Sequence, residues 1–136
     1  MPRARKTPSP RRVFASPRGS PSTPERDALV FEMISRVADR WTMLVLEVLA
    51  EHGVLRFTKL GQLVGDVSQR MLTKTLRQME DDGFVTRTVH PVVPPKVEYE
   101  LTPLGLSLGA AFCGVWEWAE KHHVDVERNR ASRRKD

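Results

Sequence analysis

The amino-acid sequence predicts a mainly α-helical fold with one small β-hairpin. Apolar residues recur at helical spacing in residues 25–52 and again in residues 104–122. Between these segments, residues 68–83 have the pattern of a single helix with a marked start and end. Residues 84–89 and 97–101 alternate apolar and polar side chains on either side of a proline-rich tip, which is typical of two paired strands.

The helix predicted over residues 68–83 has two different faces. Ser68 is a favourable N-cap residue, and Gly83 is a favourable residue just beyond the helix end. Leu72, Leu76 and Met79 form the stripe that we expect to be buried. The opposite face carries cationic, amide and hydroxyl side chains: Arg70, Lys74 and Arg77, flanked by Gln69, Thr73 and Gln78. A helix of this kind can pack on a core with one face and meet DNA with the other.

The distribution of charge supports this interpretation. The net charge is +5, but residues 1–24 alone hold six Lys or Arg and no acidic residue. In the rest of the chain, residues 56–96 hold seven basic and four acidic residues. A basic central segment on an otherwise acidic body predicts one face that meets phosphate.

Two further helices are predicted before the central one. Apolar spacing indicates a first helix over residues 25–38, and Asp39 can cap a second helix that runs to His52. Residues 54–57 are then a candidate edge strand.

A short helix and a tight turn are predicted to lead into the central helix. Thr58 is the expected cap of a two-turn helix through Val64, and residues 65–66 make the turn into Ser68. Two helices joined by a tight turn and followed by a hairpin form a winged helix-turn-helix. In that fold the second helix enters a DNA major groove.

The last helix is predicted to be buried on more than one side. Thr102 and Pro103 indicate its start, because proline is favoured at the first helical position, and we expect it to end near His122. Residues 104–115 are nearly all apolar, which in a domain this small implies a partner subunit. The expected dimer contacts, on the first and last helices, are Leu29, Met33, Leu108, Phe112, Val115 and Trp116.

The domain organisation follows from composition. Residues 25–123 are predicted to form one folded domain, followed by a charged tail over residues 124–136. Residues 1–24 contain six of the ten prolines, so we expect a disordered basic arm. An organelle transit peptide is the alternative, but such peptides form amphipathic helices, which this proline density disfavours.

Several classes of protein are disfavoured. The single cysteine, Cys113, leaves no internal disulfide and no multi-cysteine metal site, and it is either a packed small side chain or a redox thiol. The longest apolar runs have four residues, whereas a membrane span needs about 20. The sequence has no Gly-rich phosphate loop, nucleophile elbow or His-Glu metal motif. We therefore expect no enzyme activity, no metal and no cofactor.

Several short segments resemble the HxlR-type family of bacterial winged helix-turn-helix regulators. They occur in order between residues 28 and 120, at residues 39–42, 56–60, 71–77, 80–84, 94–99 and 101–105. The resemblance implies a homodimer, joined by its terminal helices, that binds a pseudo-palindromic operator. The single cysteine favours a reducing cytoplasm, and we expect association with the bacterial nucleoid. Many family members carry a Cys-Pro pair where this chain has Ala28 and Leu29, so thiol sensing through that cysteine does not carry over.

The DNA contacts are predicted from position within the winged helix-turn-helix. Residues at the start of the recognition helix reach base edges most readily. The candidates for base reading are therefore Gln69, Arg70, Thr73 and Lys74. The candidates for other DNA contacts, chiefly to phosphate, are Ser68 and Arg77 on the same helix, Arg56 and Lys59 before it, and Arg87, His90 and Lys96 in the wing. For each of these the alternative is a solvated surface side chain.

Two questions stay open at the level of sequence. Trp41, Trp116 and Trp118 could line a pocket for a small-molecule effector, although core or dimer contacts are the alternative. The favoured function is a DNA-binding transcriptional regulator, most simply a repressor. The alternative is a winged-helix module that binds protein and does not enter a groove. The basic helix face favours the regulator.

Overall fold

A computed structural model describes residues 23–134, which fall into two compact units divided after Arg36. The elements, in order, are α1 (Pro24–Val37), α2 (Arg40–His52), β1 (Leu55–Arg56), α3 (Phe57–Val64), α4 (Gln69–Asp81), β2 (Val85–His90), β3 (Lys96–Leu101) and α5 (Pro103–Arg134). The predicted mainly helical fold with a small hairpin is therefore confirmed. The predicted basic arm lies outside the described residues, apart from Thr23 and Pro24.

The first unit contributes helix α1. Acidic residues occupy its first turn and Arg36 its last, which complements the helix dipole. None of its residues is buried, and five large apolar side chains remain 42–55% exposed: Leu29, Val30, Phe31, Met33 and Ile34. The apolar face of α1 is therefore left exposed.

The core of the second unit lies between α2, α3, α4 and the sheet. Asp39 caps α2 as predicted, because its carboxylate accepts a hydrogen bond from the Thr42 N–H at 3.4 Å. The buried apolar side chains are Val45, Leu46, Leu49, Leu60, Val64, Leu72, Leu76, Met79, Phe84, Val85 and Tyr99. Since α4 supplies three of these, the core fixes which face of α4 is turned outward.

Helix α3 begins two residues earlier than expected, and the predicted capping role of Thr58 is wrong. The helix starts at Phe57, directly after β1, with Arg56 at the N-cap position and no side-chain capping bond. Pairing of β1 with β3 carries the backbone straight into the helix, and the Phe57 ring packs near the ring of Tyr99, with centroids 6.5 Å apart. The expected turn after Val64 is present, with Gly65 at φ +101°.

The three strands form one antiparallel sheet in the order β1-β3-β2. Strands β2 and β3 make the predicted wing, with Val85 opposite Leu101 at its base and His90 opposite Lys96 near its tip. Strand β1 pairs with β3 through Leu55 and Arg56. The short strand is therefore at the sheet edge, as its length predicted.

Helix α5 starts as predicted but ends much later. The Thr102 hydroxyl donates to the Gly83 carbonyl at 2.6 Å and accepts from the Gly105 N–H at 3.1 Å, which fixes the first turn. The helix continues past His122 to Arg134, so most of the predicted charged tail is helical. Contacts one turn apart support the extension: His123 lies 3.6 Å from Glu127, and Arg128 forms an ion pair with Asp125. No helix within residues 23–134 is long and apolar enough to cross a membrane.

Candidate nucleic-acid interface

Helix α4 is fixed at both ends by the predicted residues. The Ser68 hydroxyl accepts a hydrogen bond from the Met71 N–H at 3.1 Å, which caps the helix. At the other end Gly83 adopts φ +82°, a conformation that favours glycine. The buried side is as predicted, with the addition of Thr75, which is only 3% exposed. Thr75 lies between Leu72 and Met79 on the helix surface, so helical spacing alone could have identified it.

The outward side of α4 forms one open depression. Its lining consists of six residues that were singled out from the sequence: Gln69, Arg70, Thr73, Lys74, Arg77 and Gln78. Arg70, Lys74 and Arg77 are exposed, and among residues 23–134 they make no ion pair. Within that range, these three cations can meet an external anion without first breaking an ion pair.

Thr73 is more constrained than the other side chains of this face. Its hydroxyl donates to the Gln69 carbonyl at 2.8 Å, one turn earlier in the helix. The hydroxyl proton is thus already used within α4, and Thr73 has only lone pairs and its methyl group for a DNA base. Within residues 23–134, the side-chain donors of Gln69, Arg70 and Lys74 make no hydrogen bond or ion pair.

The concave surface between α4 and the wing has mixed charge. Arg77 of α4 and Arg87 of β2 line one cleft of about 600 Å³, together with Glu80 and Asp81. Phe57, Val97 and Tyr99 supply its apolar lining. Arg77 and Arg87 therefore both line the cleft between α4 and the wing. Arg70 and Lys74 line the depression on α4 and not this cleft.

Lys96 and His90, the other DNA-contact candidates of the wing, lie beside a carboxylate that sequence reasoning missed. Lys96 Nζ lies 2.6 Å from Glu98 Oε1, and His90 Nε2 lies 3.6 Å from Glu98 Oε2. The hydrogen bond from Lys96 is the main reason that the pKa of Glu98 is lowered. Glu98 thus neutralises part of the positive charge of the wing. Its position two residues after Lys96 in a strand, on the same face, was the signal that could have found it.

Arg56 and Lys59 lie before α4 in the chain and do not belong to its outward face. Arg56 lies in β1, at the start of α3, and Lys59 lies in the first turn of α3. Both side chains are exposed, and neither forms an ion pair with another described residue. They remain available for contact with a backbone phosphate.

The predicted dimer contacts divide into two groups. Leu29 and Met33 on α1, and Val115 and Trp116 on α5, are 47–59% exposed. Leu108 and Phe112 are partly buried and also pack against the core of their own protomer. The sequence pattern could not separate these groups, because α5 is apolar on several sides.

The three tryptophans lie in different surroundings. Trp41 packs against the core, and the Arg40 guanidinium lies 5.2 Å from its ring centroid. Trp118 stacks on His122 with ring centroids 4.9 Å apart. Trp116 lines a groove between α2 and α5. Of the three tryptophans, Trp116 alone lines this groove, so an effector bound there would contact one tryptophan.

Comparison with known proteins decides the family. The family profile described as HxlR-like helix-turn-helix matches residues 36–127. This range includes all elements from α2 to β3 and most of α5. The chain belongs to this family. The resemblance seen in the sequence motifs is thereby confirmed, and the chain is a transcriptional regulator with a helix-turn-helix DNA-binding fold.

Relatives of this HxlR-like regulator are themselves HTH-type transcriptional regulators. YtfH of Escherichia coli is 41% identical over 95 residues, which are 70% of this chain and 75% of that protein. YdeP of Bacillus subtilis is 36% identical over 98 residues, which are 72% of this chain and 76% of that protein.

Solved structures agree with the fold. A transcriptional regulator, YtfH from Salmonella typhimurium, is 38% identical and superposes with a TM-score of 0.65, covering 79% of this chain and 91% of that one. The redox regulator HypR in its reduced form is 33% identical, also with a TM-score of 0.65, covering 73% of this chain and 97% of that one.

Proposed function

We propose that this protein is a homodimeric transcriptional repressor that inserts α4 into the major groove of each half of a pseudo-palindromic operator. The observation that carries the proposal is the outward face of α4. Three exposed cations there make no ion pair within residues 23–134, and three further polar side chains complete the same depression. Such a face can meet phosphate and base edges without first breaking an internal ion pair.

The contacts are assigned by position on α4. Gln69, Arg70 and Lys74, near the helix N-terminus, are the base readers, because their donors are free and the start of a recognition helix lies deepest in the groove. Arg77 and Arg87 share the cleft towards the wing and contact phosphate. The acidic side chains in the same cleft reduce its net charge, so these two arginines need direct contact with a phosphate to contribute affinity.

The homodimer is supported by apolar surface that the protomer leaves exposed. Val115 and Trp116 of α5 are 56% and 59% exposed, and the apolar side of α1 is exposed to a similar degree. Large exposed apolar surface on helices is typical of an interface between subunits. Two copies joined in this way would present two α4 helices, which matches an operator with two half-sites.

Binding to the DNA upstream of the protein's own gene tests the proposal. Fluorescence anisotropy with a labelled duplex should show saturable binding that an unlabelled copy displaces and a shuffled duplex does not. Arg70→Ala should weaken this binding, whereas Arg130→Ala removes an equal charge from the distal part of α5 and should leave it nearly unchanged. Equal binding of native and shuffled duplexes would contradict a regulator and favour the protein-binding module.

Repression itself is tested by transcription in vitro. Run-off transcription from the bound promoter should fall as the protein is added and recover with the Arg70→Ala variant. An increase in transcript would show an activator bound at the same site.

A further inference from the structure

The carboxylate of Glu98 lies between two of the predicted DNA-contact residues of the wing. Lys96 Nζ lies 2.6 Å from Oε1 and His90 Nε2 lies 3.6 Å from Oε2, so each carboxylate oxygen has one nitrogen beside it. Among the described residues, the His90 Nε2 atom is shielded from solvent and makes no hydrogen bond. The Glu98 side chain is only 20% exposed, and that of Lys96 is 33% exposed. This ion pair is therefore partly shielded from water.

The ion pair lies close to the tip of the hairpin. His90 and Lys96 are opposite each other and are the last pair of β2 and β3 before the tip. No acidic residue occurs in residues 83–97, so Glu98 is the acidic residue nearest to the tip on either strand. On the other face of the hairpin, Arg87 shares a cleft with side chains of α4, so a duplex that α4 enters runs beside the wing. A free cation at this end of the hairpin is well placed to meet a backbone phosphate.

We propose that Glu98 limits sequence-independent DNA binding by the wing, because it holds the Lys96 ammonium group in an internal ion pair. Contact between Lys96 and a phosphate requires this pair to break, which offsets most of the gain from the new contact. The hydrogen bond from Lys96 lowers the pKa of Glu98, so the carboxylate stays ionised at neutral pH and Lys96 stays paired. The three cations of α4, in contrast, make no ion pair within residues 23–134.

This role of Glu98 affects how strongly the protein is retained on DNA other than its operator. Phosphates carry no sequence information, so a free lysine in the wing would strengthen binding to any duplex. Nonspecific sites in a genome compete with the operator for the regulator. The role rests on DNA binding as proposed above, but it does not depend on the reading of bases by α4.

Two neighbours of Glu98 provide comparisons on the same sheet. Arg56 is opposite Glu98 in β1, yet it forms no ion pair with Glu98 or with any other described residue. Glu100 follows two positions later, on the same face of β3, and forms no ion pair within residues 23–134. Neutralising Glu100 therefore removes the same charge as neutralising Glu98, but it releases no lysine.

The affinity of the full-length protein for a shuffled duplex, measured over a salt series, tests this role. Glu98→Gln should raise the affinity about fivefold and steepen the slope of log K against log salt concentration by about 0.9, as expected for one further phosphate contact. Glu100→Gln should change the affinity by less than about twofold and leave the slope unchanged. Equal gains in the two variants would overturn the proposal, because the net charge of the protein alone would then explain both.

The coupling between Glu98 and Lys96 distinguishes a released lysine from a general gain in positive charge. Lys96→Gln alone should change the affinity by less than about twofold, whereas in the Glu98→Gln background it should remove the whole gain. Additive effects of the two substitutions would overturn the proposal. If circular dichroism showed that Glu98→Gln does not fold, Lys96→Gln alone would still decide. A loss of salt slope in that variant would show that Lys96 already contacts phosphate in the native protein, which the proposal excludes.

A parallel titration with the operator separates this role of Glu98 from the proposed function. Equal native affinities for operator and shuffled duplexes, together with a gain in Glu98→Gln, would overturn operator recognition and support the restraint of Lys96. A native preference for the operator, together with unaltered affinity of Glu98→Gln for the shuffled duplex, would overturn the restraint alone. Failure of both proteins to bind any duplex would overturn both.

Discussion

Gly105 and Phe84 are packed so closely that no side chain fits between them. A Cβ atom placed on Gly105 would lie 2.1 Å from the Phe84 carbonyl oxygen. That carbonyl accepts a hydrogen bond from the Thr102 N–H at 3.0 Å, so the backbone cannot move away without cost. Helix α5 is thereby fixed to the short segment between α4 and β2, directly after the recognition helix.

Gly105→Ala should therefore lower the free energy of unfolding by about 3 kcal/mol, as expected for overpacking against rigid backbone. Gly109→Ala is the matched control on the same helix, because a Cβ there meets nothing within 4 Å. It should leave stability unchanged or raise it by about 1 kcal/mol through helix propensity. Urea unfolding followed by circular dichroism measures both. Equal stability of the two variants would contradict the packing described here.

Glu98 gives the wing a dependence on pH. Its pKa is lowered below the usual 4.5, first by the hydrogen bond from Lys96. A carboxyl group with a lowered folded-state pKa stabilises the fold above its unfolded-state pKa, and this contribution is lost as pH falls through the folded-state pKa. Glu98→Gln should flatten the acid side of the stability profile, near and below pH 4.5. An unchanged slope in thermal unfolding across that range would show that the ion pair does not stabilise the fold.

The residues at the ends of α4 show what could be predicted from sequence. Ser68 and Gly83 act on backbone within a few residues of themselves, so the residue types at these two positions were enough. The contact of Glu98 with His90 depends on pairing between β2 and β3, whose register the sequence did not specify. For the same reason the groove between α2 and α5 was not foreseen, since its lining comes from segments that lie far apart in the chain.

The extent of α5 was predicted less well than its start, because the helix runs to Arg134 and not to His122. Leu108 and Phe112 are partly buried against their own core, and their contact with a partner subunit stays a prediction. Periodicity cannot distinguish the two, because an apolar side chain fits either environment. The polar end of α5 lacks the apolar periodicity that marks a helix packed on a core, and ion pairs within the helix support it instead.

Val115→Asp should dissociate the proposed dimer. The Val115 side chain is 56% exposed in the protomer, so the substitution leaves the core intact and places a charge in the interface. Sedimentation equilibrium should show a native dimer at micromolar concentration and a monomeric variant. Val124→Asp, at another exposed valine of α5, should remain dimeric. A monomeric native chain would contradict the proposed assembly.

The basic arm, residues 1–24, should strengthen DNA binding without regard to sequence. It carries six basic residues and no acidic residue. Deleting the arm should reduce the slope of log K against log salt concentration by about 0.9 for each phosphate that the arm neutralises. Identical slopes for the full chain and a chain that begins at Glu25 would show an inert tail, and the groove contacts of α4 would be unaffected.

The central claim is that α4 reads DNA bases through its outward face. Its most direct test is the affinity of the native protein, Arg70→Ala, Lys74→Ala and Arg77→Ala for an operator series in which each base pair is replaced in turn. Arg70→Ala and Lys74→Ala should each cost about 1–3 kcal/mol on the native operator and abolish the preference at one position in each half-site. Arg77→Ala should weaken all sequences alike. An unchanged preference at every position in both of the first two variants would contradict base reading by α4.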